Sequence, residues 1–305
     1  MEKISPRVDI AFKKIFGVVE NKDLLISLIN SIVSPTDKVS DITLMNPYNA
    51  KNFKKDKLSI LDIKAEGADG KKFNIEVQIT DEADYDKRAL YYWGKLYTEQ
   101  LQSAGDYSQL CKAIGIHILN FISIPEAPNY HNVFHITERD SGFLYFKDLE
   151  LHTIELKKFT PDNNEELTDI VAKVKNSLDV WSAFLTRHDL LRPDNLPQVL
   201  DNPSLKKALS VLEVMNFSSE ERQAYEDHLK WMRTEASGIK KAASDALAEG
   251  IEIGKAEGKA EGIEIGEAKG RAEKIAIIKG MLKAGISINS IMDISGLSRE
   301  QIEKI

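Results

Sequence analysis

The chain has 305 residues, 42% of them hydrophobic and 29% charged, with a formal net charge of −7. That length exceeds one average domain, and the composition excludes a disordered or low-complexity polypeptide. No apolar run reaches the ~18 residues of a membrane-spanning helix, so no membrane partner is expected. Cys111 is the only cysteine, which excludes an intrachain disulfide and a thiolate metal cage; beside Leu110 it reads as a small buried side chain. The start, Met-Glu-Lys-Ile-Ser-Pro, has no apolar stretch of a secretion signal, and a cytoplasmic location is the expectation. The acidic balance argues mildly against strong nonspecific affinity for nucleic acid, which rests on neutralising phosphates.

The spacing of Val8, Phe12, Ile15, Phe16 and Val19 predicts a helix from Pro6 to Val19, with Ser5 as N-cap and Pro6 in the first turn. Asp9 and Lys13, four apart, share a face of it. A second helix over Lys22–Val33 stops before Pro35, and Val39–Leu44 reads as a strand leading to a loop at Asn46-Pro47. Lys51, Lys54, Lys55 and Lys57, with Lys71 and Lys72, could flank a phosphate track, although a solvated loop is the commoner meaning of such a run.

From Lys57 to Thr80, two β-rich segments flank a turn marked by Gly67, Asp69 and Gly70. Alternation puts Asp62, Lys64 and Glu66 on one face of the first segment, and Asn74, Glu76, Gln78 and Thr80 on one face of the second. Ile63, Ala65, Phe73, Ile75, Val77 and Ile79 form the apolar side, so Asp62, Glu76 and Gln78 can converge opposite it. Paired carboxylates on neighbouring strands suit a hard divalent cation, which takes oxygen ligands and keeps several waters. Ordinary polar alternation on a solvent-facing hairpin would give the same spacing.

A helix over Glu82–Ser103 carries Arg88 and Tyr92 one turn apart, so that they project together, and guanidinium geometry suits phosphate. Lys112–Ser123 is a strongly apolar strand in which His117 reads as a core histidine. Asn132–Glu138, Phe143–Asp148 and Leu151–Leu156 read as strands, with a turn near Ser141-Gly142. His131, His135 and His152 lack the spacing of a helical zinc pair. Beyond Asn163 the chain turns helical: an apolar stripe runs from Leu167 to Leu185, a helix covers Leu205–Asn216, and Ser218 begins another with capping-type residues.

Gly250, Gly254, Gly258, Gly262, Gly266 and Gly270 recur every four residues inside a near-duplication of twelve residues. Six helical glycines cost about 5 kcal/mol relative to alanine, a cost that close approach of a partner helix would offset. Self-association as a homodimer or higher homo-oligomer through residues 250–270 is therefore expected, with a flexible tether as the alternative. Ile275–Ile305 reads as two short helices with a turn at Gly285, a packing hairpin rather than a DNA reader, since Arg299, Gln301 and Lys304 alternate with Glu300 and Glu303.

Taken together, these residues resemble one family. Asp62, thirteen residues, then Glu76-Val77-Gln78 is similar to the Asp…(Asp/Glu)-X-Lys signature of the restriction-endonuclease-like, PD-(D/E)XK nucleases, with Gln78 at the lysine position. The opening Asp9, Phe12, Lys13 and Phe16, the Arg88, Tyr91 and Tyr92 of the following helix, and the glycine-periodic helix resemble the recombination-promoting nuclease and transposase family within that group. The resemblance implies an α/β restriction-endonuclease-like core, a mixed sheet flanked by helices, over residues 1–160. A helical region at 161–236 would pack on it, followed by the long glycine-periodic helix at 237–283 and a terminal hairpin at 284–305, all of them α-helical. It also implies a metal-dependent DNA endonuclease linked to recombination or mobile elements. Asp62 and Glu76 would hold Mg²⁺ or another divalent cation, helped by the carbonyl of Val77, with Asp9 and Gln78 assisting. Lys64 would replace the missing ammonium, and Arg88, Tyr92 and Lys13 would contact the DNA. The alternative is a non-catalytic, DNA-binding or interaction protein of the same fold that assembles through the glycine-periodic helix.

Overall fold

The computed structural model describes residues 4–47, 62–81, 84–101, 105–162, 164–215 and 217–305. The lysines at 51, 54, 55 and 57 and the start of the predicted hairpin lie outside them. Contacts divide the chain into two compact units, Met1–Met232 and Arg233–Ile305.

In the first unit the order is α1 (Asp9–Phe16), α2 (Lys22–Ile32), β1 (Ile42–Leu44), β2 (Asp62–Gly67), β3 (Lys72–Gln78), α3 (Tyr85–Thr98), β4 (Ala113–Leu119), β5 (His131–Thr137), β6 (Leu144–Glu155), α4 (Leu156–Phe159), α5 (Leu167–Lys173), α6 (Ser177–Arg187) and α7 (Pro203–Glu213). The first turns of α8 (Ser219–Lys283) also belong to it. The strands form one mixed sheet in the order β1-β2-β3-β4-β6-β5. β1, β2 and β3 are antiparallel neighbours, β4 runs parallel to both β3 and β6, and β5 closes the far edge antiparallel to β6.

Alternation sorts the side chains onto two faces. Ile63, Ala65, Phe73, Ile75, Val77, Ile114, Ile116, Ile118 and Ile154 pack with Phe12, Phe16, Leu25, Trp181, Phe184 and Leu209 from α1, α2, α6 and α7. One core therefore extends past residue 160 and takes in α5, α6 and α7. Across the sheet, α3 lays Trp93 and Leu96 on Ala113, and Tyr85 and Ala89 on Leu119. β4 is buried at every position, as expected of a central parallel strand with both faces covered.

Several predicted boundaries shift. The first helix begins at Asp9, not Pro6: Ser5–Val8 form a turn closed by Val8 N–H on Ser5 O at 3.2 Å, and the N-cap is Val8. The expected strands at 143–148 and 151–156 are one twelve-residue strand, β6, because its first half extends the ladder with β5 while its second half lies between β5 and β4. The stripe from Leu167 to Leu185 is broken between α5 and α6, where the Asn176 side chain accepts from Leu178 and Asp179 N–H and caps the second helix. Ser218 and Glu221 form the expected cap of α8, with the Ser218 N–H on Glu221 at 2.8 Å. Cys111 is half-buried rather than buried, and its Sγ closes on Gly70.

In the second unit α8 continues to Lys283, followed by α9 (Ile288–Ser295) and α10 (Arg299–Glu303). Ile278, Ile291 and Ile302 bury one another there, and Ser298 caps α10. Along the glycine ladder Ile251, Ile253, Ile263 and Ile265 are about half exposed, and a Cβ built on any of its six glycines meets nothing within 4 Å.

Candidate active site

The hairpin brings the two acids together. In the β2–β3 register Asp62 stands directly opposite Glu76, and directly opposed residues share a face. Asn46 fixes this end of β2, donating to Asp62 O at 3.0 Å and accepting from Lys64 N–H at 2.7 Å, so its amide prolongs the ladder past the end of β1. Glu76 is 3% exposed, beneath α3. Arg88 reaches it from that helix: its Nη2 donates to Glu76 Oε1 at 3.1 Å and to Gln78 Oε1 at 2.8 Å. The guanidinium also lies 5.3 Å from the centre of the Tyr85 ring. Gln78 Nε2 donates to Thr80 O at 3.2 Å, which settles which end of the amide faces Arg88.

Behind Glu76, His117 is buried, with its Nδ1 2.6 Å from Tyr85 Oη and 3.8 Å from Glu76 Oε2. Burial, then the Arg88 charge, pushes its pKa down to about 4, so the ring is neutral at physiological pH and forms no ion pair with Glu76. It is the core histidine the sequence suggested, and it carries a polar partner the sequence did not reveal.

From the other side α1 presents Asp9 and Lys13. Burial raises the Asp9 pKa to about 7 against the opposing charge of Lys13, with Glu76 and Asp62 pushing it further up. Its Oδ1 is buried without a hydrogen-bond partner among the described residues. Lys13 is 4% exposed, its Nζ has no hydrogen-bond partner among the described residues, and burial lowers its pKa against Asp9, Asp62 and Glu76.

Of the remaining predicted residues, Lys64 lies two positions along the same face, opposite Asn74, with its Nζ 3.7 Å from Glu99 Oε2 at the end of α3. Tyr92 is 40% exposed and packs edge-on against Tyr91, with ring centroids 5.4 Å apart. Lys71 pairs with Asp69 and Asp37, and Lys72 with Glu66, so these turn lysines serve local ion pairs. His131 and His152 are drawn together, 2.9 Å apart, and His152 continues to Glu150 and Lys112 in a buried chain on the opposite face of the sheet.

Among the described residues no three His, Cys, Asp or Glu side chains are grouped so as to hold a metal ion between them. The donor set still suits a hard cation. Mg²⁺ needs one or two carboxylates and completes its shell with water and phosphate oxygens. The cross-strand pair Asp62–Glu76 and the unsatisfied Asp9 Oδ1 are all-oxygen donors of that kind.

A mixed sheet with helices on both faces, an antiparallel acidic hairpin and a parallel strand beyond it define a restriction-endonuclease-like fold. Residues 6–242 match the family described as PD-(D/E)XK nuclease family transposase, and the chain belongs to that family. No curated protein and no solved structure matches the chain.

Proposed function

We propose that the protein is a metal-dependent DNA endonuclease that hydrolyses phosphodiester bonds in the cytoplasm and serves recombination or the movement of a mobile element. The observation that carries the reading is the Asp62–Glu76 cross-strand pair, placed beside Asp9 and Lys13 and beneath Arg88.

Asp62 and Glu76 would hold Mg²⁺ or a similar cation, with Val77 O as a further oxygen. When bound, such an ion polarises the scissile phosphate and lowers the pKa of its water. The chain's own groups do the rest. Arg88, which shares its Nη2 between Glu76 and Gln78, would bring to the site a guanidinium whose fork suits a phosphate. Gln78 holds that guanidinium; as an amide it brings no charge and takes no proton. Asp9, titrating near neutrality, can hold or release a proton at Oδ1. Tyr92, exposed on α3, offers a ring edge and hydroxyl to the DNA.

Plasmid nicking tests this. The full chain should nick only with a divalent cation, and Asp62→Ala and Glu76→Ala should each slow it at least about 100-fold, the scale of losing a transition-state contact. Nicking that persists in both variants sinks the assignment. Assembly into a homodimer or higher oligomer through residues 250–270 belongs to the same proposal. It is supported by six glycines that carry a helical cost and that, among the described residues, have nothing packed within 4 Å of where a Cβ would stand. A monomeric mass for the full chain at micromolar concentration would discard it.

A further inference from the structure

Position 78 holds an amide where the Asp…(Asp/Glu)-X-Lys signature has a lysine, and the ammonium the sequence offers in exchange, Lys64, is turned to Glu99 at 3.7 Å. Arg88 is committed to Glu76 and Gln78. Lys13 is placed differently. It rides on α1 between Phe12 and Phe16, whose rings pack 4.7 Å apart and anchor that helix in the core. Its Nζ is buried without a hydrogen-bond partner among the described residues, and the charges acting on it are Asp9, Asp62 and Glu76. An ammonium has three protons to donate, and burying it with none used is costly; packing alone would be served better by methionine or leucine. A buried cation held beside paired acids with its hydrogen bonds unmade fits an oxyanion that arrives with the substrate.

We propose that Lys13, delivered from α1, contacts the reacting phosphate and supplies there the positive charge that position 78 lacks. The proposal rests on the nuclease reading and deepens it: it gives Lys13, expected from the sequence only to contact DNA, a role at the reacting phosphate itself. Lys13 donates hydrogen bonds to a non-bridging phosphate oxygen and opposes the charge that builds on the phosphate as the water oxygen bonds to phosphorus, giving up a proton to solvent, and the leaving oxygen departs with the electron pair of the broken bond and takes a proton from solvent. No proton need leave Lys13. The bland alternative is a counter-ion that only neutralises the three acids.

Three measurements on full-length wild type, Lys13→Met and Lys13→Arg separate these. They are thermal unfolding without metal, Mn²⁺ affinity without DNA, and the rate of plasmid nicking at saturating Mn²⁺. The expected result for Lys13→Met is an unfolding temperature at or above that of wild type and Mn²⁺ binding about 3–10-fold tighter, because a like charge has left the site. Nicking should slow about 100-fold or more, with Lys13→Arg recovering part of the rate. A Lys13→Met rate within about threefold of wild type at saturating metal overturns the proposal. So does weaker Mn²⁺ binding, which marks a lysine that merely supports the acids. If Lys13→Met does not fold, Lys13→Arg decides, and a folded Lys13→Arg with no nicking overturns the proposal. Wild type that binds Mn²⁺ and never nicks overturns the nuclease reading and this inference with it, whereas active wild type with active Lys13→Met overturns Lys13 alone.

Discussion

Gln78 Oε1 lies 2.8 Å from Arg88 Nη2, and the same nitrogen reaches Glu76. A lysine at 78 would set an ammonium against that guanidinium. Gln78→Lys should therefore lower stability by about 1–3 kcal/mol in urea unfolding, with no gain in nicking rate. The added loss should shrink in the Arg88→Ala background, because the repelling partner is gone. Asp9 gives a pH signature. Its folded pKa near 7 exceeds the ordinary 3.8, so between those values the unfolded chain binds fewer protons than the folded one. Stability is then eroded as pH rises from about 4 to 7. Asp9→Asn should raise the metal-free unfolding temperature over wild type at pH 8 and leave it nearly unchanged at pH 4; an equal effect at both pH values would refute the buried carboxyl. The Asp62–Glu76 pair was legible from the sequence, because alternation plus a glycine turn fixes which side chains face each other. The different fates of Lys64 and Lys13 were not. Whether an ammonium meets Glu99 or three acids depends on how α1 and α3 approach the sheet, a tertiary fact with no local spacing to announce it.

At the next scale, the turn and the glycine-periodic helix use glycine for opposite reasons. Gly70 has φ +84°, and a Cβ there would come 2.7 Å from Cys111 Sγ. Gly70→Ala should cost about 1–2 kcal/mol for the left-handed backbone alone, read by denaturant melting, with Cys111→Ala relieving only the steric part. The ladder glycines meet nothing within 4 Å. Replacing Gly254, Gly258 and Gly262 by alanine should stabilise the helix by about 0.8–1 kcal/mol at each site, seen as higher helicity by circular dichroism. If copies meet along those glycines, the same triple change should weaken association in sedimentation, so the two readouts move oppositely. A four-residue step advances about 40° around an α-helix, so the five steps between the six glycines cannot stay on one straight face, and a partner would have to wrap. The sequence showed helices by period and placed the start of α2 and the cap of α8, yet missed where α1 begins. Pro6 suits a first turn, but the chain spends Ser5–Val8 on a separate turn before Asp9.

Over the whole molecule, the core that holds the site is complete within the first unit, since its buried cluster ends at Leu212 in α7. A chain ending at residue 242 should keep the unfolding temperature of that core within a few degrees and lose any assembly that depends on residues 250–270; collapse of the shortened chain would refute the division. This unity of the core past residue 160 could not be seen in advance, because the apolar stripes of α5, α6 and α7 show that they bury a face without showing against what. The sheet order carries a consequence for synthesis. Glu76 is translated early, yet β3 gains its inner neighbour only when β4 emerges, and the layer over its apolar face closes only with α6 and α7, more than a hundred residues later. A nascent polypeptide on the ribosome thus holds its acids on an unfinished hairpin, and such a hairpin is marginal by itself. If the protein cuts DNA as proposed, that power would arrive only after most of the message has been read, which keeps half-made copies harmless to nearby DNA.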